Sequence, residues 1–259
     1  MSELITTKTE YGEFGISLNP LNYVVQANDL IEAMPNLSLN ATKLLRIMIM
    51  QIKPDDEEFF KQVFSINDLS QILDISSSNL YRDIGKITNE LRQSSVSFET
   101  TGRGVYLNLA SACCYDGKRG IGFKFNDDMK PLLLNLQKTY NYTQYRLEKI
   151  LKMQSAYSIR LYEILCSKIM TNAKKTVHVK ISVDSLRRTF DCTKKLKQFG
   201  QFKKCSKTIK KCFLGLKNLV KSRLHEPLKY IKYIKYIPML YIYLRARVRE
   251  AKKVLVLNC

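Results

Sequence analysis

"FSINDLSQILDISSSNLYRDIGKITNEL", residues 64–91, decides the fold. Ser65 stands where a helix N-cap belongs, with Asp68 three residues on, and Ile66, Leu69, Ile72 and Leu73 supply one apolar stripe. After a brief turn at "DIS", Ser76 or Ser77 caps a second helix whose apolar residues, Leu80, Ile84, Ile87 and Leu91, recur at spacings of 4, 3 and 4. Two short capped helices joined by a tight turn predict a helix-turn-helix.

The flanks extend this reading. Upstream, "LSLNATKLLRIMIMQI" predicts a helix with Leu39, Leu44, Leu45, Met48 and Ile52 on one face, ended by Pro54 and "DDEE", and "LNYVVQ" has strand character. Downstream, "SVSFETTGRGVYLNLASACCYDGKRGIGFKFN" predicts three short strands broken at "TGRG" and "YDGKRG", both hairpin signals. Helix, helix-turn-helix and hairpin in that order describe a winged helix. "DDMKPLLLNLQ" adds one helix, and "KTYNYT" reads as a polar linker.

The same order of elements then recurs. "YRLEKILKMQSAYSIRLYEILCSKI" predicts a long amphipathic helix, interrupted near Ser155, and "TVHVKIS" a strand. "SVDSLRRTF" is a short helix, "DCTKKLKQFG" a turn, and Gln201 to Val220 a second long helix. "LKYIKYIKY", turning at Ile237 and Pro238 into "LYIYLRARVR", supplies a hairpin in the place of a second wing. In that last strand Leu240, Ile242, Leu244, Ala246 and Val248 alternate with Tyr241, Tyr243, Arg245, Arg247 and Arg249, the period-two pattern of one dry and one wet face. The expected fold class is α+β: two tandem winged-helix domains, residues 1–137 and 138–259. The duplication is one of pattern, without a residue-level repeat.

Charge separates the two halves. The net charge of +20 is uneven: residues 1–130 hold 13 Lys/Arg against 17 Asp/Glu, a net of −4, and residues 131–259 hold 30 against 6, a net of +24. Such a basic half calls for a polyanionic partner. No apolar run approaches the roughly 20 residues that span a bilayer, and the apolar faces of the basic helices are committed to a core, so membrane binding is not expected. The N-terminus lacks the basic and apolar regions of a secretory signal. Seven cysteines without C-x-x-C spacing read as reduced thiols of a cytoplasmic protein, with neither disulfide frame nor metal site.

The basic residues fall into three sets. On the helix from Gln201 to Val220, Phe202, Ile209, Phe213, Leu216 and Val220 share one side. At about 100° per residue, Lys204, Lys207 and Lys211 fall opposite, flanked by Lys203 and Lys210. No acid interleaves them, so they are not salt-bridge decoration but a candidate phosphate and base contact. Arg245, Arg247 and Arg249 form the second set, on the wing strand. The third is Asn79, Arg82 and Lys86 on the helix after Ser77, mixed with Asp83 and Glu90. Its near-neutral balance suits either DNA reading or a merely structural role. Catalysis has no candidate residues: His178 and His225 lie on unrelated elements, and "TGRG" and "RGIG" lack the lysine and context of a phosphate-binding loop. No cofactor is expected.

These residues carry a family resemblance. "YRLEKILKMQSAYSIRLYEIL" resembles the Y-x-L-x-x-I-L-x-x-x-S-x-Y-S-I-R-L-Y-E motif of iteron-binding plasmid replication initiators. "LSLNATKLLRIMIMQI" and "FSINDLSQIL" are similar to the start of that family's first winged helix, and "SVDSLRRTFDC…FGQFKK" to the helix-turn-helix of the second. The likeness covers about residues 20–220 and is most specific from Gln154 to Leu165. Toward the end the chain departs from the pattern: "YIKYIPML" replaces the usual Gly-Arg or Gly-Lys hairpin, and Gly215 interrupts the second recognition helix. The resemblance implies double-stranded DNA as partner, both domains contacting direct repeats (iterons) at a plasmid origin. It implies melting of adjacent AT-rich DNA, recruitment of the host replicative helicase, and a homodimer, in equilibrium with monomer and joined through the first domain, that represses its own promoter. The alternative is a winged-helix transcriptional regulator of plasmid or phage without initiator activity.

Overall fold

The computed structural model describes residues 18–53, 55–116, 120–136, 141–170, 176–182, 234–236, 239–249 and 252–258. Two compact units divide the chain, Met1–Leu151 and Lys152–Cys259. Of the expected linker, residues 138–143, Tyr142 and Thr143 belong to a strand of the first unit. Strand β1 (Tyr23–Ala27) pairs antiparallel with β7 (Tyr142–Arg146), from Tyr23 opposite Arg146 to Ala27 opposite Tyr142. Thr143 and Tyr145 are buried while Gln144 and Arg146 are exposed, so "YTQYR" alternates as a half-buried strand does. The buried Asn28 ties the pair down. Its amide donates to Asn141 Oδ1 (2.8 Å), and its own Oδ1 accepts from Thr143 Oγ1 (2.6 Å).

A short helix α1 (Asn28–Ala33) leads to α2 (Leu39–Met50), which is buried all round from Ala41 to Met50. The expected single apolar face is therefore corrected. "LLRIMIM" offers no polar side, and the helix sits among β1 and the long helix that follows. Even Arg46 and Lys43 are buried, and loss of hydration pulls the Lys43 ammonium below its ordinary pKa, partly offset by Asp74.

Strand β2 (Gln62–Ser65) enters the helix-turn-helix formed by α3 (Ile66–Leu73) and α4 (Ser77–Gln93). Both caps are serines: Ser65 Oγ accepts from Asp68 N (3.0 Å) and Ser76 Oγ from Asn79 N (3.4 Å). Asp74 makes the turn at φ 56°, a left-handed conformation that a short polar side chain tolerates, and Ile75 N donates to Ser70 O (3.1 Å). Leu80, Ile84, Ile87 and Leu91 are all buried, each stabilising the unit by about 1.5–3 kcal/mol.

Four strands follow, where the sequence pattern suggests three. β3 (Ser95–Thr100) and β4 (Arg103–Asn108) form a two-stranded hairpin, the wing, turning through Thr101 and Gly102, the latter at φ 79°. β5 (Ala110–Asp116) pairs with β6 (Gly120–Phe125), and β6 also pairs with β2. The break lies at Leu109, fully buried, whose N–H donates to Ser94 O and whose carbonyl accepts from Asn126 N (both 3.1 Å). That anchor carries the chain from one sheet to the other. A single 3-10 turn (Asp127–Met129) and α5 (Lys130–Leu133) close the region.

The expected helix of the motif is interrupted near Ser155, as the pattern predicts, but its start is corrected. Its first part is β7 and a short helix α6 (Glu148–Leu151), while α7 (Ala156–Met170) begins after Ser155, whose carbonyl accepts from Ser158 N and Ile159 N.

In the second unit, β8 (Thr176–Ser182) pairs with β10 (Met239–Arg249), as does β9 (Ile234–Tyr236). β11 (Lys252–Asn258), not foreseen from the sequence, pairs with β10 from Arg249 opposite Lys252 to Tyr243 opposite Asn258. The strand "LYIYLRARVR" thus forms the expected hairpin with β9 and is in addition the central strand of its sheet. The expected helices at "SVDSLRRTF" and Gln201 to Val220, with the turn between them, lie outside the described residues.

Candidate nucleic-acid interface

Helix α4 turns its apolar stripe inward, which fixes what faces out. Asn79, Arg82 and Lys86 are exposed, as are Asn89 and Arg92, so the outward face is richer in base than the sequence balance suggests. Glu90 is the reason. Its carboxylate accepts from Ser38 N (2.5 Å) and Ser38 Oγ (2.6 Å) at the start of α2, where the helix dipole favours an anion. This acid is therefore committed to holding α4 against α2. Asp83 remains, 3.4 Å from Arg82 in a pair whose arginine side chain is 68% exposed, an arrangement worth little in water.

Glu90→Ala should lower the stability of the first unit by about 1 kcal/mol, the usual net scale for an intramolecular hydrogen bond. A thermal melt reads this directly, and an unchanged midpoint would show that the Ser38 contact is not made in solution.

The structure also brings forward residues that sequence reasoning did not select. Arg92 donates to Asn89 Oδ1 (2.9 Å), one turn on from that residue. Arg103 is exposed at the turn of the wing, and Tyr106 is exposed behind it, donating to Glu99 (3.0 Å). Arg92 was legible from helical spacing; Arg103 was signalled only by "TGRG".

Of the second unit's candidates, Lys203, Lys204, Lys207, Lys210 and Lys211 lie outside the described residues. Arg245, Arg247 and Arg249 occupy alternate positions of β10, opposite Val256, Val254 and Lys252 of β11. Among the described residues no group of three His, Cys, Asp or Glu side chains lies close enough to hold a metal. Cys113 and Cys166 are poor nucleophiles: burial pushes both thiols up to about 12. No described helix is long and apolar enough to cross a membrane.

A capped helix-turn-helix with an outward basic helix and a following β-wing defines a winged-helix protein. The family model for the initiator replication protein, WH1, matches residues 23–166, and the chain belongs to that family. A curated replication initiation protein of Escherichia coli is 24% identical over 169 residues, 63% of this chain and 52% of the relative. The chain thus spans about half the length of that relative. The crystal structure of the Pi initiator protein in complex with iteron DNA matches with a TM-score of 0.63 at 19% identity, covering 92% of this chain and 96% of that one. The α+β winged-helix fold class holds.

Proposed function

We propose that this chain is a plasmid replication initiator that binds short direct repeats in duplex origin DNA and catalyses no reaction itself. The observation that carries the reading is α4. Its buried stripe and the Glu90–Ser38 clasp present Asn79, Arg82, Lys86, Asn89 and Arg92 as one outward face on a helix placed as a recognition helix. Family membership supplies the biological setting, and the Pi protein was crystallised on iteron DNA. Clustered Lys/Arg in the second domain supply salt-dependent affinity. A cytoplasmic site of action, melting of adjacent AT-rich DNA, recruitment of host helicase, and repression by a homodimer joined through the first domain belong to the same reading.

The two units divide the work by charge. Residues 1–151 carry a net −2 and residues 152–259 a net +22. In gel shifts the fragment 152–259 should bind duplex DNA on its own, while 1–151 should bind far more weakly and self-associate in light scattering. Tighter binding by 1–151 would overturn this division. Origin-dependent replication of a plasmid carrying the gene and its flanking DNA tests initiation itself: repression without replication would leave only a transcriptional regulator.

A further inference from the structure

Helix α4 has a gap in its outward side at Gly85, and a side chain from another element fills it. A Cβ on Gly85 would lie 3.0 Å from Tyr115 Cζ and 3.2 Å from Tyr115 Cε2 and Oη. Tyr115 belongs to β5, so its ring reaches across to the helix and takes the space that a residue-85 side chain would occupy. The surface neighbours of position 85 lie three and four residues away, and of these Tyr81, Arg82 and Asn89 are exposed. The ring therefore sits among the exposed residues of the proposed recognition face, and Tyr115 remains 52% exposed. An aromatic ring half out in water gains little stability there. It gains more against another surface.

Groove dimensions say what that surface is. A B-form major groove is about 12 Å wide and a helix with its side chains about 10–12 Å across, so a docked helix nearly fills it. A ring lying over a helix glycine adds apolar surface without adding the bulk of a second side chain at that position. The exposed aromatic area suits the C5-methyl group of thymine, the apolar feature of the groove floor.

We propose that Tyr115, seated on Gly85, is a specificity-determining residue of the first domain that contacts thymine methyl groups beside the positions reached by Arg82 and Asn89. This rests on the reading of α4 as a DNA-facing helix. It also gives the nearly neutral first unit a task other than bulk affinity, namely discrimination.

The test uses the full chain and a duplex pool with a randomised core of about two helical turns. Wild type, Tyr115→Ala and Gly85→Ala are each used for selection, then measured on the best wild-type duplex and on unselected DNA. Tyr115→Ala should lose about tenfold on the selected duplex, change less than twofold (a rough bound) on unselected DNA, and drop a thymine preference at one or two positions. Gly85→Ala displaces the ring and should lose the same preference while melting no lower than wild type, since alanine favours the helix. The double variant should be no worse than Tyr115→Ala alone. Identical selected sequences for wild type and Tyr115→Ala would overturn the proposal, leaving the ring as a cover for the helix. An Arg82→Ala, Lys86→Ala variant separates the two failures. If it loses binding while Tyr115→Ala does not, only the role of Tyr115 falls; if neither loses binding, the DNA-facing reading of α4 falls with it.

Discussion

A Gly120→Ala chain should fail to fold its first unit at temperatures where the parent is stable. Gly120 opens β6 opposite Ser65, at φ 151°, and an added Cβ would stand 1.8 Å from the Phe64 carbonyl oxygen and 2.8 Å from its carbon. Both atoms are backbone, so no rotamer change relieves the overlap. The β2–β6 ladder has to part, and it covers Phe64, Phe123 and Phe125, each nearly or wholly buried, with Phe123 and Phe125 edge to face at 4.8 Å. A cost of about 4 kcal/mol or more is expected, a large share of the roughly 5–15 kcal/mol that holds a domain together. The damage also reaches the helix-turn-helix, because Ser65, the partner of Gly120, is the N-cap of α3. Gly102→Ala is the control: its φ is 79°, but nothing lies within 4 Å of the added carbon, so only backbone strain of about 1–2 kcal/mol applies. Circular dichroism melts of the two variants should differ widely. Equal midpoints would mean that the close approach of β6 to β2 does not exist.

The contrast between these glycines shows what a sequence exposes. Gly102 stands in a hairpin signal, and its conformation follows from local chemistry. Gly120 stands in a similar signal, yet its constraint comes from Phe64, far back in the chain. The helix-turn-helix was legible for the first kind of reason: Ser65 and Ser76 cap locally, and the spacing of Leu80, Ile84, Ile87 and Leu91 is a property of one helix. β7 was not, although "YTQYR" alternates, because its pairing partner β1 lies more than a hundred residues away and a helical motif follows directly. Leu109 was likewise hidden, since its carbonyl and N–H anchors, Asn126 and Ser94, come from two different sheets' ends.

The candidate interface divides in the same way. Asn79, Arg82 and Lys86 follow from helical spacing alone. That Glu90 leaves the face depends on Ser38 at the start of α2, and that Tyr115 joins it depends on a β-strand crossing a glycine. Side chains contributed by a second element are the part of a site that periodicity does not reveal, and here they alter both its charge and its apolar area.

Lys204, Lys207 and Lys211 should carry the largest share of cognate DNA binding, and their replacement by alanine in the full chain tests it. The sequence pattern alone sets them opposite Phe202, Ile209, Phe213, Leu216 and Val220 on an expected helix, in the half of the chain holding most of its positive charge. We propose that they meet base edges as well as phosphates. A good base contact is worth roughly 1–3 kcal/mol of discrimination, so the triple variant should lose at least about tenfold more on the cognate repeat than on random DNA. The arginines of β10 provide the comparison. Arg245 and Arg247 are alternate strand positions, about 7 Å apart for a rise near 3.4 Å per residue, which is the scale of phosphate spacing along one DNA strand. Phosphate contacts position a protein without reading sequence. Arg245→Ala with Arg247→Ala should therefore weaken cognate and random DNA by similar factors. It should also make the slope of log K against log salt shallower by about 0.9 for each phosphate that is no longer neutralised. Filter binding across a salt series separates the two behaviours. Equal losses for the lysine variant on both DNAs would reduce those lysines to backbone binding, and an unchanged salt slope for the arginine variant would remove β10 from the interface.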